Sequence, residues 1–283
     1  CIQAVHHGDG HFHLGIDRSY TVFQQYFFEP GAKEKITQYI NTCKVCQEGK
    51  RISSRKGPGL GKTSSRPHER LKKFSMDCVQ MPKGKHGFTY LLTMVDISTT
   101  WVEAFAMKAA TTQNICNIME NHIFPRYGEG LTFICDQGRE FIAHKLRQLV
   151  AKYQGRIYFG TSHHPNSNPI ERHHRTLVSL IRCLLIDGSK AKEEWPDTIP
   201  KALYTLRASP NGQTRESAFN RVYGFYPTTQ LGSWLGKDPN EDVEHPDINM
   251  RDQTFIEGPY PTQETDQIEI EDETEDQITI NSD

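Results

Sequence analysis

The sequence predicts a mixed α/β protein in which one five-stranded sheet is covered by helices on both faces. Three observations predict this class. Three closely spaced apolar strands open the central region, two shorter strands follow, and segments of helical periodicity separate and follow those two. Strands and helices in this order form a layered structure around one sheet. At 283 residues the chain is long enough for two domains, or for one domain with appendages.

The individual elements follow from their hydrophobic patterns. Five strands are predicted, at 74–81, 88–97, 100–107, 131–135 and 156–160. Short turns join the first three, which therefore form an antiparallel meander. Four helices are predicted, at 111–124, 140–153, about 169–186 and about 195–208. The first helix buries one face, made of Ile115, Ile118, Met119 and His122; the second buries Phe141, Leu146, Leu149 and Val150.

The first 50 residues combine two short helices, separated by Pro30-Gly31, with a cluster of histidines and cysteines. A segment with so few large apolar side chains needs a further source of stability, and a bound metal supplies it. Imidazoles and thiolates bind Zn²⁺ tetrahedrally, and four protein ligands close a structural site. A chance CxxC near histidines is the competing interpretation. The predicted zinc ligands are His7, His13, Cys43 and Cys46, with His6 as the alternative to His7 and His11 as a bystander.

The charge of the chain is strongly divided. From Asp238 to the end there are 16 acidic residues and one basic residue, whereas the first 237 residues carry a net charge of +13. A basic body is typical of proteins that bind a polyanion such as nucleic acid. The acidic tail has few aromatic residues and is predicted to be disordered. We expect it to cover the basic body or to bind a basic partner such as a histone.

Other features of the composition exclude some classes of protein. No stretch of 18 apolar residues predicts a membrane span, and no signal peptide opens the chain. The seven cysteines lack the spacing of a secreted disulfide framework, which favours a reducing compartment. The chain does not begin with Met, which is typical of a fragment or of a product cut from a longer polyprotein.

Three carboxylates lie at positions that favour metal binding. Asp77 is in the middle of an apolar strand, where an acid is costly unless it is paired or binds a metal. Asp136 ends a buried strand, and Glu171 lies in the first turn of a helix that Asn168 caps and Pro169 begins. Three acids on separate elements are able to hold two hard cations about 3.5–4 Å apart, the arrangement that cleaves or transfers phosphodiesters.

Each acid also has a structural interpretation. Asp136 fits a turn, and Glu171 fits a helix N-terminus, where a negative charge complements the dipole. Asp96 is predicted to be a turn residue after the second strand. Glu103 is predicted to face solvent from the third strand.

The order of these motifs resembles a retroviral or Ty3/gypsy-type retrotransposon integrase. The pieces that carry the resemblance span about residues 6 to 228: HFHLGIDRSY, NTCKVCQ, FSMDCVQ, LLTMVDISTTWVEAF, CDQGREF, HHPNSNPIERHHRTL and SAFNRVYGFYP. The family's acid triad is two aspartates and a glutamate about 35 residues beyond the second. Asp77, Asp136 and Glu171 match it. The resemblance implies an RNase H-like fold for residues 73 to about 210 and a zinc-binding helical domain before it.

The resemblance also implies an activity. The expected enzyme is a polynucleotidyl transferase and endonuclease that uses two Mg²⁺ (or Mn²⁺) ions to trim the 3′ ends of element DNA and to join them to target DNA. One structural Zn²⁺ is expected in addition. The first alternative is a catalytically inactive, domesticated integrase that binds DNA or protein. A nuclease of the RNase H type on the same core is a weaker alternative.

The expected partners are double-stranded DNA, both element ends and target, and further copies of the chain in a multimer on DNA. A chromosomal target implies the nucleus, and otherwise a cytoplasmic particle. Contacts with phosphate are predicted for a basic set of side chains: Lys50, Arg51, Arg55, Lys56, Arg172, His174 and Arg175. A solvated surface charge is the competing interpretation for Arg172. A soluble tether with no specific role is the competing interpretation for the basic linker.

These features predict four regions. A zinc-binding helical domain occupies 1–49 and a basic linker 50–72. The catalytic core and its following helices occupy 73–235, and the acidic tail 236–283.

Overall fold

A computed structural model of the chain describes residues 1–8, 12–50, 69–160, 170–211 and 215–236, with the side chains of Glu171 and Arg172 left out. Most of the predicted linker and nearly all of the predicted tail lie outside these residues. So does the turn before Glu171, which contains Asn168 and Pro169.

A five-stranded sheet forms the centre of the described chain. Its strands are β1 (Lys73–Gln80), β2 (Tyr90–Asp96), β3 (Val102–Met107), β4 (Thr132–Cys135) and β5 (Arg156–Phe159). The strand order is β3-β2-β1-β4-β5. Strands β1 to β3 form the antiparallel meander, whereas β4 pairs in parallel with both β1 and β5. The prediction of a mixed five-stranded sheet with flanking helices is confirmed.

The helices surround this sheet and form the N-terminal segment. They are α1 (Ile2–His7), α2 (Ile16–Tyr26), α3 (Ala32–Thr42), α4 (Lys44–Gly49), α5 (Thr112–Ile118), α6 (Phe124–Tyr127), α7 (Arg139–Ile142), α8 (His144–Lys152), α9 (Ile170–Asp187), α10 (Trp195–Ala208), α11 (Ala218–Tyr223) and α12 (Gln230–Leu235). Among the described residues, no helix combines the length and apolarity that crossing a bilayer requires.

The sheet has an apolar core on each face. On β2, Leu91 and Val95 face the core shared with α9 and α10, whereas Leu92 and Met94 face the core shared with α5 to α8. Successive strand side chains point to opposite faces, so a strand covered on both sides is apolar at nearly every position. This explains why the second strand is an almost unbroken apolar run.

The helix predicted at 111–124 differs from the expectation at its C-terminal end. Residues Met119–Ile123 form a π turn between α5 and α6. The wider turn shifts the buried face, so Ile123 is buried and His122 is exposed, where its ring stacks on Phe105. The prediction that His122 is on the buried face is therefore wrong.

The N-terminal segment, defined as residues 1–8 and 12–50, folds around its own small apolar cluster. Val22, Phe23 and Ile36 of α2 and α3 form its centre, and Leu231 of α12 joins it. Helices α2 and α3 are the two that the periodicity predicts. Helices α1 and α4 have six residues each, which is too short for a periodic pattern to be detected.

Glu103 is buried, contrary to the expectation that it faces solvent. It is 3% exposed, and its carboxylate accepts a hydrogen bond from the Tyr127 hydroxyl and lies 2.9 Å from Arg207 Nη2. Trp101 Nε1 is 3.2 Å from the same carboxylate. Partners from two distant segments, together with the neighbouring Trp101, thus compensate the charge, which an isolated strand pattern does not reveal.

Glu103→Gln is expected to lower the free energy of unfolding by about 3 kcal/mol, because it leaves the half-buried Arg207 without its charge partner. Urea unfolding followed by circular dichroism measures the change. Glu29→Gln, which removes an exposed pair with Lys35, is the control and is expected to cost less than about 1 kcal/mol. Equal unfolding midpoints for the two variants would contradict the structural role of Glu103.

Candidate active site and zinc site

Asp77 lies on β1, and Asp136 is the first residue after β4, the strand that pairs with β1 in parallel. The pairs of β1 and β4 are Lys73 with Thr132, Phe74 with Phe133, and Ser75 with Ile134. The difference in residue number between the two partners is the same in all three pairs, and the same difference separates Asp136 from Asp77. Because neighbouring strands are about 4.8 Å apart, the register brings these two acids together.

Both carboxylates are open to solvent. The backbone N–H of Cys78 donates to Asp77 Oδ1 at 2.7 Å, and that of Gly138 donates to Asp136 Oδ1 at 3.0 Å. The side chain of Asp77 is 28% exposed, and Asp136 is an exposed residue. Oxygen ligands with free lone pairs at an accessible edge of the sheet are the donors that Mg²⁺ and Mn²⁺ prefer.

The thiols of Cys135 and Cys78 lie close to several negatively charged carboxylates. Burial raises the pKa of Cys135 to about 12, and the neighbouring charges of Asp136 and Asp77 contribute to the shift. Burial also raises the pKa of Cys78, with additional contributions from Glu140, Asp77 and Asp136. Three carboxylates therefore act on the same small region, and a bound cation would offset their mutual repulsion.

Helix α9 reaches this site through His174. Its Nδ1 lies 3.3 Å from Asp77 Oδ2, and the residue is 8% exposed. The prediction that His174 faces DNA phosphate is not favoured, because the imidazole is buried against Asp77. Glu171 precedes His174 by three residues, and positions three apart are neighbours on a helix. The backbone of α9 thus places Glu171 one turn from the Asp77 contact, while its side chain lies outside the described atoms.

The other predicted DNA contacts are placed only in part. Arg175 is exposed on α9, one turn beyond Glu171. Lys50 donates a hydrogen bond to the backbone carbonyl of His13 at 2.5 Å, a contact within the N-terminal segment. The side chain of Arg172, and the residues Arg51, Arg55 and Lys56, lie outside the described part of the structure.

The N-terminal segment brings two histidines and two cysteines to one point. The ligand atoms of His6, His13, Cys43 and Cys46 all lie within 4.8 Å of one another. His13 Nδ1 is 3.3 Å from His6 Nε2, 3.5 Å from Cys43 Sγ and 3.4 Å from Cys46 Sγ. Cys46 Sγ is 3.3 Å from His6 Nε2. Helix α1 supplies His6, and the start of α4 supplies the cysteines.

These distances fit a tetrahedral zinc ion. Zn–N bonds of about 2.0–2.1 Å and Zn–S bonds of about 2.3 Å give edges of about 3.4 Å between nitrogens and about 3.6 Å between nitrogen and sulfur. The observed separations agree with those edges to about 0.3 Å. The donor set, two imidazoles and two thiols, is also a structural zinc set.

The geometry favours His6 over His7 as the first ligand. On α1 adjacent residues point about 100° apart, so only one of the two imidazoles is able to face the cluster. His6 faces it, while His7 lies with His13 and Asp187 in a neighbouring group. Burial lowers the pKa of His7, and the nearby His13 and His6 lower it further. The geometry thus favours the alternative, His6, over His7, and zinc binding by either residue stays a prediction.

The sequence analysis named His174 as a DNA contact but missed its position against Asp77, which is detectable in principle because His174 lies one turn from Glu171. It also missed two side chains next to the zinc cluster. Cys183 and Asp187, near the end of α9, approach the zinc cluster from the core. Nothing in the sequence signals their position, since it depends on how the N-terminal segment packs on α9.

Two family matches agree with the order of the two sites. The integrase zinc binding domain family matches residues 1–51, and the integrase core domain family matches residues 67–165. The first match contains the His and Cys cluster, and the second contains β1 to β5 with Asp77 and Asp136.

Curated relatives are retroviral polyproteins. The chain is 29% identical over 199 residues to the Pol polyprotein of Radiation murine leukemia virus (strain Kaplan), covering 69% of this chain and 33% of the polyprotein. It is 26% identical over 218 residues to the Gag-Pol polyprotein of Koala retrovirus, covering 76% and 12%. The chain thus spans about a third or less of these relatives. The chain thus carries an integrase zinc binding domain with a histidine–cysteine cluster, followed by an integrase core domain with a mixed sheet, and it is similar to retroviral Pol polyproteins.

Proposed function

We propose that the chain is an active integrase, which trims the 3′ ends of element DNA and joins them to target DNA. One observation carries this proposal: the register of β1 and β4 aligns Asp77 with Asp136, the first residue after β4, and His174 in the first turns of α9 lies against Asp77. Three elements thus meet at one edge of the sheet. The family relationship supports a DNA substrate for this edge.

The proposed roles follow from where each side chain is held. Asp77, Asp136 and Glu171 would hold Mg²⁺ or Mn²⁺. A pair of these ions supplies activation of the attacking water or 3′-hydroxyl and stabilises the leaving oxygen. In the tautomer with a proton on Nδ1, His174 donates to Asp77 Oδ2 and restrains that carboxylate. Arg175, exposed one turn beyond Glu171, is placed to bind a DNA phosphate.

The zinc site has a structural role in this proposal. His6, His13, Cys43 and Cys46 would hold one Zn²⁺ and close its coordination, which leaves no position for a substrate. The apolar cluster of the N-terminal segment is small, so the metal contributes a large part of its stability. Assembly on two DNA ends and a target site implies several copies of the chain in a nuclear complex.

Asp77→Asn and Asp136→Asn are each expected to reduce strand transfer at least about a thousand-fold. Loss of a metal-binding carboxylate removes several kcal/mol of transition-state stabilisation. The assay joins 3′-hydroxyl duplexes from the ends of the encoding element to supercoiled plasmid in Mg²⁺ or Mn²⁺. Plasmid nicking in Mn²⁺ provides a second readout that does not depend on the end sequence.

The control for these variants is Asp197→Asn, an exposed carboxylate on α10 that pairs with Lys85. It is expected to keep wild-type activity. Product yields that are equal for wild type, Asp77→Asn and Asp136→Asn would remove the catalytic proposal. A wild-type chain that binds DNA but forms no product would instead favour the non-enzymatic, domesticated alternative.

His174→Ala is expected to lower strand transfer about 10- to 100-fold and to raise the Mg²⁺ concentration needed for half-maximal activity. The reason is that Asp77 loses the group that restrains it. His174→Asn is expected to recover most of the activity, because its amide places an N–H near the position of Nδ1. If the Asn variant is as impaired as the Ala variant while both unfold at the same temperature, the positioning role is wrong.

His6→Ala is expected to abolish the binding of one zinc per chain, whereas His7→Ala retains it. The matched pair tests the ligand assignment, because the two residues are adjacent on α1 and only His6 joins the four-atom cluster. Zinc content measured by atomic absorption after dialysis distinguishes them. Zinc retained by His6→Ala and lost by His7→Ala would reverse the assignment.

A further inference from the structure

Helix α9 connects the two candidate sites. Its 18 residues run from Ile170, next to Glu171, to Asp187, next to the zinc cluster. At 1.5 Å per residue the helix is about 27 Å long. One rigid element of the core therefore touches the proposed active site at its first turns and the zinc cluster at its last turn.

Asp187 faces the second nitrogen of a zinc ligand. His13 Nδ1 points into the cluster, and its Nε2 lies 3.5 Å from Asp187 Oδ1. An imidazole that binds a metal through one nitrogen carries a proton on the other, and a carboxylate at that proton fixes the ring and makes it a better ligand. His13 itself is buried, so the groups packed around it, Asp187 among them, determine its orientation.

Cys183 approaches a zinc thiolate from the same helix. Its buried thiol donates to the backbone carbonyl of Val45, the residue before the ligand Cys46, at 3.9 Å. An S–H close to a metal-bound thiolate is able to stabilise the negative charge on that sulfur. Cys183 is thus placed to act on Cys46 as Asp187 acts on His13.

The packing between α4 and α9 is close enough to keep these contacts in place. A side chain at Gly49 would put its Cβ 2.7 Å from Cys183 Sγ, so glycine is needed there. Phe12 and Val45 of the N-terminal segment join the apolar core that α9 forms with the sheet. The residues next to the zinc cluster therefore pack directly against the core that α9 forms with the sheet.

We propose that Cys183 and Asp187 form an outer shell of the zinc site, so that zinc binding is linked to the docking of the N-terminal segment on α9. The proposal rests on the zinc site described above and not on strand transfer. Linkage is reciprocal: the docked core tightens zinc binding, and bound zinc stabilises the last turns of α9. The zinc site then consists of four ligands from one segment and two supporting groups from another.

Zinc affinity of the full chain tests this proposal, measured by competition with a chromophoric chelator at constant pH. Asp187→Asn and Cys183→Ala are each expected to weaken zinc binding about 10- to 100-fold. Cys183→Ser retains a hydrogen-bond donor, so its zinc affinity is expected to lie between those of Cys183→Ala and the wild type. Asp197→Asn and Cys116→Ala, a carboxylate and a buried thiol elsewhere in the core, are the matched controls and should bind zinc as the wild type does.

Hydrogen exchange provides the second measurement. In the wild type, removing zinc is expected to speed amide exchange at 180–187 at least about tenfold, and in Asp187→Asn the effect of zinc on these amides should shrink. Zinc affinities of Asp187→Asn and Cys183→Ala within twofold of their controls would overturn the proposal. If Cys183→Ala fails to fold, Asp187→Asn alone decides. A chain in which zinc binding is linked to α9 as predicted, but which joins no DNA, would refute the proposed catalysis. It would not affect the proposal that Cys183 and Asp187 support the zinc site.

Discussion

The parallel pairing of β1 with β4 is the constraint on which the candidate active site depends. Its register aligns Asp136, just after β4, with Asp77, and a shift of one residue would turn one of the two acids to the opposite face of the sheet. Apolar side chains on one face of these strands fix the register, because a shift of one residue would also move Phe74 or Phe133 out of their shared core. The same burial that makes the fold stable thus determines where the carboxylates lie.

Helix α9 adds the third part of the site and connects it to the rest of the chain. Its apolar face packs on the sheet together with α10, and this packing holds His174 against Asp77. At its other end Cys183 and Asp187 meet the zinc cluster. The N-terminal segment is therefore part of the support of α9. Loss of zinc is expected to destabilise the last turn of this helix before the rest of it.

Much of this structure could be predicted from the sequence, because strong local patterns specify it. The five strands and the long helices follow from apolar periodicity, and Asp77 is conspicuous because an acid rarely lies inside an apolar strand. What the sequence did not reveal depends on contacts between distant segments. Burial of Glu103 requires Tyr127 and Arg207, and the choice of His6 over His7 requires the direction of the short helix α1.

Divalent cation binding tests the central claim most directly, and Mn²⁺ bound to the zinc-loaded full chain is measurable by electron paramagnetic resonance. The claim is that residues 77, 136 and 171 share their cations. Asp77→Asn, Asp136→Asn and Glu171→Gln should then each bind Mn²⁺ at least about tenfold more weakly than the wild type. Wild-type Mn²⁺ affinity in Glu171→Gln would show that α9 does not contribute to the metal site, and would contradict the account.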